Sequence, residues 1–155
     1  MGEKKLMELI DTAIKREEEA FDFYMDIFGK VNDDIAKETI KGIAEEEKKH
    51  KAFLVKYRDE NWTPKDLKMS DVLFYKIAEY QEEPEVQNNM KSEDVYLVAS
   101  HRELRSFKFY TELADLHQSG EVRELLLKMA NEELKHKEKV EYLYANTAFP
   151  QTDGG

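Results

Sequence analysis

Two short stretches of the chain carry the residue types of a metal site, EEEKKHK at 45–51 and NEELKHK at 131–137. Each contains Glu-x-x-His, as Glu47 with His50 and as Glu133 with His136. Residues three apart share a helix face, so each pair can offer a carboxylate and an imidazole to one point. The absence of cysteine narrows the chemistry further. It excludes disulfides, thiolate zinc sites, a thiol nucleophile and cysteine-bound iron, leaving oxygen and nitrogen as the only donors. A lone Glu-x-x-His arises often by chance in a Glu-rich chain, so its meaning depends on the elements that hold the two copies.

Those elements read as long amphipathic helices. From Leu6 the core positions step by fours and threes through Ile10, Ala13, Glu17, Ala20, Tyr24, Ile27 and Val31, the seam of a packed helix that ends near Gly29. Asn32, Asp33 and Asp34 supply capping oxygens for a second helix, with seam Ala36, Ile40, Ile43, Glu47, His50, Leu54 and Tyr57. It stops before Thr63 and Pro64. Residues 61–91 form a long crossover, in which Val72, Leu73, Phe74, Ile77, Ala78 and Tyr80 predict a short packed helix after Ser70. Ser92 opens a third long helix with seam Tyr96, Ala99, Glu103, Ser106, Tyr110 and Leu113. Ser119 or Gly120 opens the fourth, with seam Val122, Leu126, Met129, Glu133, His136, Val140 and Leu143. The expected domain is an all-α, antiparallel four-helix bundle over 1–145, with hairpins 1–60 and 92–145 and a flexible tail at 146–155.

The hairpins are copies of one another. Shifted by 86 residues, Arg16, Glu17, Phe21, Phe23 and Tyr24 fall on Arg102, Glu103, Phe107, Phe109 and Tyr110. Without a gap, Ala44, Glu46, Glu47, Lys49, His50 and Lys51 fall on Ala130, Glu132, Glu133, Lys135, His136 and Lys137. Shared bundle patterning reproduces apolar periodicity but not identical charged residues at seam positions, so the repeat reads as a duplication.

Buried seams select apolar side chains, yet Glu17, Glu47, His50, Glu103, Glu133 and His136 occupy them at mid-length in all four helices. Four carboxylates in a low-dielectric interior repel one another, and burying each ion costs several kcal/mol. The neighbouring lysines are expected on outer faces, so the compensating charge must come from elsewhere. Two divalent cations would balance four carboxylates, with two neutral imidazoles completing the shells. Iron or manganese suits these donors, although zinc or cobalt could occupy them. Glu46 and Glu132 each precede a histidine by four residues and compete as ligands, but the heptad register favours Glu47 and Glu133.

With these residues in place the chain resembles the ferritin-like di-iron carboxylate superfamily, most closely its rubrerythrin-like branch, over residues 3–145. That ligand pattern is one Glu from each of two helices and Glu-x-x-His from each of the other two. The resemblance implies that Glu47 and Glu133 bridge two iron ions, with manganese as the alternative metal. It likewise implies that Glu17 and Glu103 are terminal ligands and that His50 and His136 bind one ion each. Tyr24 and Tyr110 resemble the tyrosines of this family that hydrogen-bond ligands across the bundle. The plain alternative is two core tyrosines with satisfied hydroxyls. Implied too are an oxidoreductase reacting with O2 or hydrogen peroxide in defence against oxidative stress, an external electron donor, and pairing as a homodimer.

Two departures bear on activity. Rubrerythrin carries a further metal-binding Glu one turn after the ligand on the third helix, where this chain has Ser106, with Ala20 as its repeat mate. Its electron-delivering, cysteine-bound iron domain has no counterpart among these residues. Small side chains at those two positions would leave space for a small oxidant. Bacterioferritin shares both Glu-x-x-His elements, so a non-catalytic iron store is the competing reading, and a metal-free helical interaction module is the third. His101 and His117 are expected away from the site. The formal charge of −10 argues against nucleic acid as a partner. No apolar stretch has secretory or membrane-spanning length, so the expectation is a cytoplasmic protein with no membrane partner.

Overall fold

The computed structural model describes residues 3–60, 67, 69–117 and 120–148. Four long helices, α1 (Glu3–Phe28), α2 (Asp34–Glu60), α4 (Ser92–Asp115) and α5 (Glu121–Ala148), form the bundle, and a single turn, α3 (Ile77–Tyr80), interrupts the crossover.

Local chemistry sets the helix ends. Of the three candidate caps before α2, Asp33 makes the bond, its Oδ2 accepting the Ala36 N–H at 2.9 Å. The α4–α5 turn is closed by Arg123, which donates to the carbonyls of Ala114 at 2.7 Å and His117 at 3.1 Å, groups that a helix end otherwise leaves unsatisfied. Gly120 takes a φ of 107°, open to glycine at no steric cost, and α5 begins one residue later.

Cross-helix pairs give the directions. Asp11 meets Arg58 and Glu18 meets Lys51, so α1 and α2 are antiparallel. Tyr24 meets Glu103 and Glu17 meets Tyr110, so α1 and α4 are antiparallel too. The crossover returns to the first turn, where the Met90 N–H donates to the Lys30 carbonyl at 2.9 Å and Val31 bridges Met90. The apolar core lies in two clusters. One holds Ala20, Tyr24, Ile27, Ile40, Ala44, Ala99 and Val140, and the other Ile14, Leu54, Tyr110, Leu126, Met129 and Ala130. Glu17, Glu47, His50, Glu103, Glu133 and His136 all fall between them in sequence, so the bundle has a polar layer across its middle.

The crossover departs from expectation. Among its described residues only Ile77–Tyr80 is helical, while Leu73, Phe74 and Tyr80, read as packed, are exposed. The cause lies in α5, whose side chains take the backbone bonds a helix would have used. Asn131 donates to the Ser70 carbonyl at 2.9 Å and accepts the Ser70 N–H at 3.0 Å. Glu138 accepts the Leu73 N–H, and Glu141 accepts the Ala78 N–H at 2.9 Å. Lys76 sits in the left-handed region at φ 56°, which also breaks a helix there. At the far end His101 bonds the Gln81 carbonyl at 2.8 Å and Arg105 grips Glu83 with two bonds. Asn131→Ala removes both bonds to Ser70 and is expected to cost about 1–3 kcal/mol in chemical denaturation, with faster protease cleavage in the crossover.

The helix of the last seam runs to Ala148, three residues into the stretch read as a tail; the remainder of that stretch lies outside the described residues, as do Ser119 and the Thr63–Pro64 stop. No helix among the described residues is long and apolar enough to cross a membrane.

Candidate metal centre

The bundle's polar layer brings all six flagged residues together. Glu17 comes from α1, Glu47 and His50 from α2, Glu103 from α4, and Glu133 and His136 from α5, and all six are buried. They fall into two overlapping groups, Glu17, Glu47, His50 and Glu133 in one and Glu47, Glu103, Glu133 and His136 in the other. Within each, the donor atoms lie within 4.8 Å of one another. Glu47 and Glu133 belong to both, because each sits on the helix that faces the other's histidine.

The distances show a convergence on points rather than on partners. His50 Nδ1 stands 3.3 Å from Glu133, 3.6 Å from Glu47 and 3.8 Å from Glu17. His136 Nδ1 stands 3.1 Å from Glu47, 3.5 Å from Glu103 and 4.0 Å from Glu133. The two imidazoles are nearly parallel, with centroids 5.7 Å apart. Despite this closeness, Glu17 Oε2, Glu47 Oε1, Glu103 Oε2, both Glu133 oxygens, both His50 nitrogens and His136 Nδ1 are buried with no hydrogen-bond partner. Buried polar atoms are nearly always satisfied, so this many orphans in one layer is the signature of a place shaped for cations. The residues present therefore fit a pair of metal ions held by oxygen and nitrogen.

Electrostatics agree. Burial, then the charges of Glu17 and Glu103, holds the Glu47 carboxyl well above the usual carboxylate range. Burial and the charges of Glu103, Glu47 and Glu17 do the same to Glu133. Burial also acts to raise Glu103, but Glu133, His136 and the Tyr24 hydroxyl outweigh it and hold this carboxyl low. For His136, burial disfavours the cation, yet the carboxylates of Glu103 and Glu47 prevail and raise it well above an ordinary imidazole. The metal-free layer thus holds protons where cations would sit.

Tyr24 and Tyr110 lie beside this layer and cross between hairpins. Tyr24 donates to Glu103 at 2.6 Å and Tyr110 to Glu17 at 2.5 Å. Burial foremost, with the charge of the carboxylate each one faces, pushes both phenols well up. They therefore stay protonated donors and fix the rotamers of the two single glutamates.

Glu46 and Glu132, the rival ligands, stand outside both groups and pair with Lys49 and Lys135, Glu46 from the surface and Glu132 from a largely buried position. His101 is spent on the crossover, and neither it nor His117 joins the two groups. One expectation is corrected, because Lys137 does not lie on an outer face. It is buried, bound to Glu141 at 3.0 Å and Glu79 at 2.8 Å, while Ser100 also donates to Glu141. Its charge is neutralised by that pair, so it leaves the charge of the metal layer uncompensated. Sequence reading also passed over a reciprocal stacking, Arg16 against Phe109 at 4.2 Å and Arg102 against Phe23 at 4.7 Å. Each of these aromatic rings meets the adjacent tyrosine edge-on at 5.2 Å. The signal was present in the repeat, where both the arginines and the phenylalanines match.

Comparison with known proteins adds the following. A family model described as Rubrerythrin matches residues 8–91 and 94–152. A solved structure from Pyrococcus furiosus, titled Hypothetical Protein Pfu-1136390-001, is 28% identical. The match covers 95% of this chain and 92% of that one, at a TM-score of 0.65. No curated protein matches the chain.

Proposed function

This chain belongs to the rubrerythrin family, and from that premise we propose that it is a binuclear carboxylate protein that reacts with O2 or hydrogen peroxide, iron being the metal and an external donor the source of electrons. The observation that carries the reading is the set of orphaned oxygen and nitrogen atoms converging in one buried layer. Glu47 and Glu133, common to both groups, would be shared between two ions, with Glu17 and His50 holding one and Glu103 and His136 the other. Paired iron ions would supply two electrons jointly, matching the demand of a two-electron oxidant.

The protein's own residues do the remaining work. Tyr24 and Tyr110 hold Glu103 and Glu17 by hydrogen bonds, limiting the carboxylate motions open to the site. Ala20 and Ser106 are small and buried at the edge of the layer, and side chains of that size would leave more room for a diatomic or peroxide-sized molecule than a larger residue there. The apolar clusters above and below exclude bulk water, which strengthens every charge interaction within. The test is anaerobic loading with ferrous ion followed by O2 or peroxide. Two irons per chain and a visible absorption change on oxidation are expected. Iron that stays spectroscopically unchanged with both oxidants, or uptake of many irons per chain, overturns the proposal.

A further inference from the structure

The duplicated hairpins are not equally covered, and the difference has a charge pattern. Between α1 and α2 lies an open groove of about 390 Å³ lined by Glu17, Glu18, Phe21, Asp22, Lys48 and Lys51. Its buried wall is Glu17, whose Oε2 has no partner. At roughly 30 Å³ per water, such a space admits an ion with its first hydration shell. On the other hairpin the matching positions, found by the shift of 86, are Glu103, Leu104, Phe107, Lys108, Leu134 and Lys137. There the crossover lies against α5, and Lys137 is 4% exposed where its mate Lys51 is 41% exposed. The anchors responsible break the repeat, Asn131 replacing Glu45, Glu141 replacing Val55 and Ser100 replacing Ile14. The open groove carries acids where the covered face does not, Glu18 against Leu104 and Asp22 against Lys108.

We propose that the groove between α1 and α2 is the port through which a divalent cation reaches the buried layer, with Asp22 attracting the ion and Glu17 receiving it. Lys51 is neutralised by Glu18 at 2.9 Å, and Lys48 lies over the Phe21 ring at 6.0 Å. Asp22 is exposed with no ion-pair partner among the described residues, and with Glu17 and Glu18 it gives the groove lining three acids against two lysines, one negative charge in excess. The orphaned oxygen of Glu17 is the first unsatisfied ligand atom met inward from there. The rival approach passes the other hairpin, where the His136 side chain retains 10% exposure.

The inference rests on the proposed metal site, and its test separates the two. Metal-free full-length protein is mixed with Co2+ in a stopped-flow instrument, and uptake is followed by the visible absorption of the bound ion. Asp22→Lys is expected to slow uptake about tenfold at low salt, within the range of electrostatic steering. The slowing is expected to vanish near 1 M salt, where the screening length falls to about 3 Å. The final Co2+ per chain stays as in the parent, because Asp22 is not a ligand. Lys108→Asp, on the covered hairpin, changes the rate less than about twofold under the same steering logic. Asp22→Asn provides a milder variant, expected to slow uptake about threefold, should the lysine disturb folding. Unchanged rates in both Asp22 variants, or a comparable acceleration by Lys108→Asp, overturns the port while leaving the metal site intact. No Co2+ uptake by the parent overturns the metal site and the port with it.

Discussion

Glu47→Ala is expected to abolish tight binding at both metal positions, whereas Glu17→Ala weakens one of them. Glu47 is shared by both donor groups and Glu17 belongs to one, so the first substitution removes a ligand from two positions and the second from one. Losing Glu47 leaves Glu17, His50 and Glu133 in one group and Glu103, Glu133 and His136 in the other, with the balance of positive ions and carboxylates upset at both. Losing Glu17 leaves the group around His136 complete. Metal analysis after dialysis against a weak chelator should find near zero ions per chain for Glu47→Ala and about one for Glu17→Ala, against about two for the parent. Equal losses from the two variants would show that Glu47 is not shared. Both truncations open space in a packed layer, so circular dichroism is needed to confirm that the helices persist.

Metal should stabilise the fold strongly, and more so as pH rises. In the metal-free chain Glu47, Glu133 and His136 are all raised above their ordinary values, so the folded state binds more protons than the unfolded chain. Their favourable contribution is complete below the unfolded values, 4.5 for the carboxyls and 6.5 for the imidazole, and is lost as pH rises through the higher folded values. Glu103 is lowered and acts in the opposite sense, contributing above 4.5 and losing that contribution as pH falls through its folded value. Three groups against one set the net direction. Cations replace the protons, and their affinity grows as the ligands deprotonate. With free metal a thousandfold above Kd, each position contributes about 4 kcal/mol. At about 2–4 °C per kcal/mol for a chain of this size, the two together raise Tm by roughly 15–30 °C. Thermal unfolding with and without metal from about pH 5 to 8 should show that gap widening. A gap that narrows with pH would contradict the protonation scheme. Glu133→Met supplies the complementary control. It removes one crowded carboxylate, so the metal-free protein should gain about 1–4 kcal/mol while metal-dependent stabilisation collapses.

The bundle was legible in the chain because helix periodicity is a local property. Runs such as Ile10, Ala13, Glu17, Ala20 and Tyr24 report which face is buried without reference to any other segment, and the observed burial follows them. The conflict between that periodicity and the charged residues within it marked Glu17, Glu47, His50, Glu103, Glu133 and His136. The crossover was illegible for the opposite reason. Val72, Leu73 and Phe74 look apolar enough to pack, but Ser70, Leu73 and Ala78 spend their backbone N–H groups on Asn131, Glu138 and Glu141, some sixty residues away. No local pattern reports such a bond. The nearest signal is that these anchors break the repeat, which becomes meaningful only once the crossover is seen lying over α5.

Sequence alone determined the family, the four helices and the six residues that could share a layer, because register along a helix sets which side chains face inward. Only the tertiary structure decided that Glu47 and Glu133 serve both groups, that each tyrosine reaches the glutamate of the other hairpin, and that Lys137 is buried yet already paired. Those facts depend on how far apart, and at what height, two helices pack. The same packing makes the two halves unlike, since the described part of the strap is anchored along α5 by Asn131, Glu138 and Glu141, while the groove between α1 and α2 stays open.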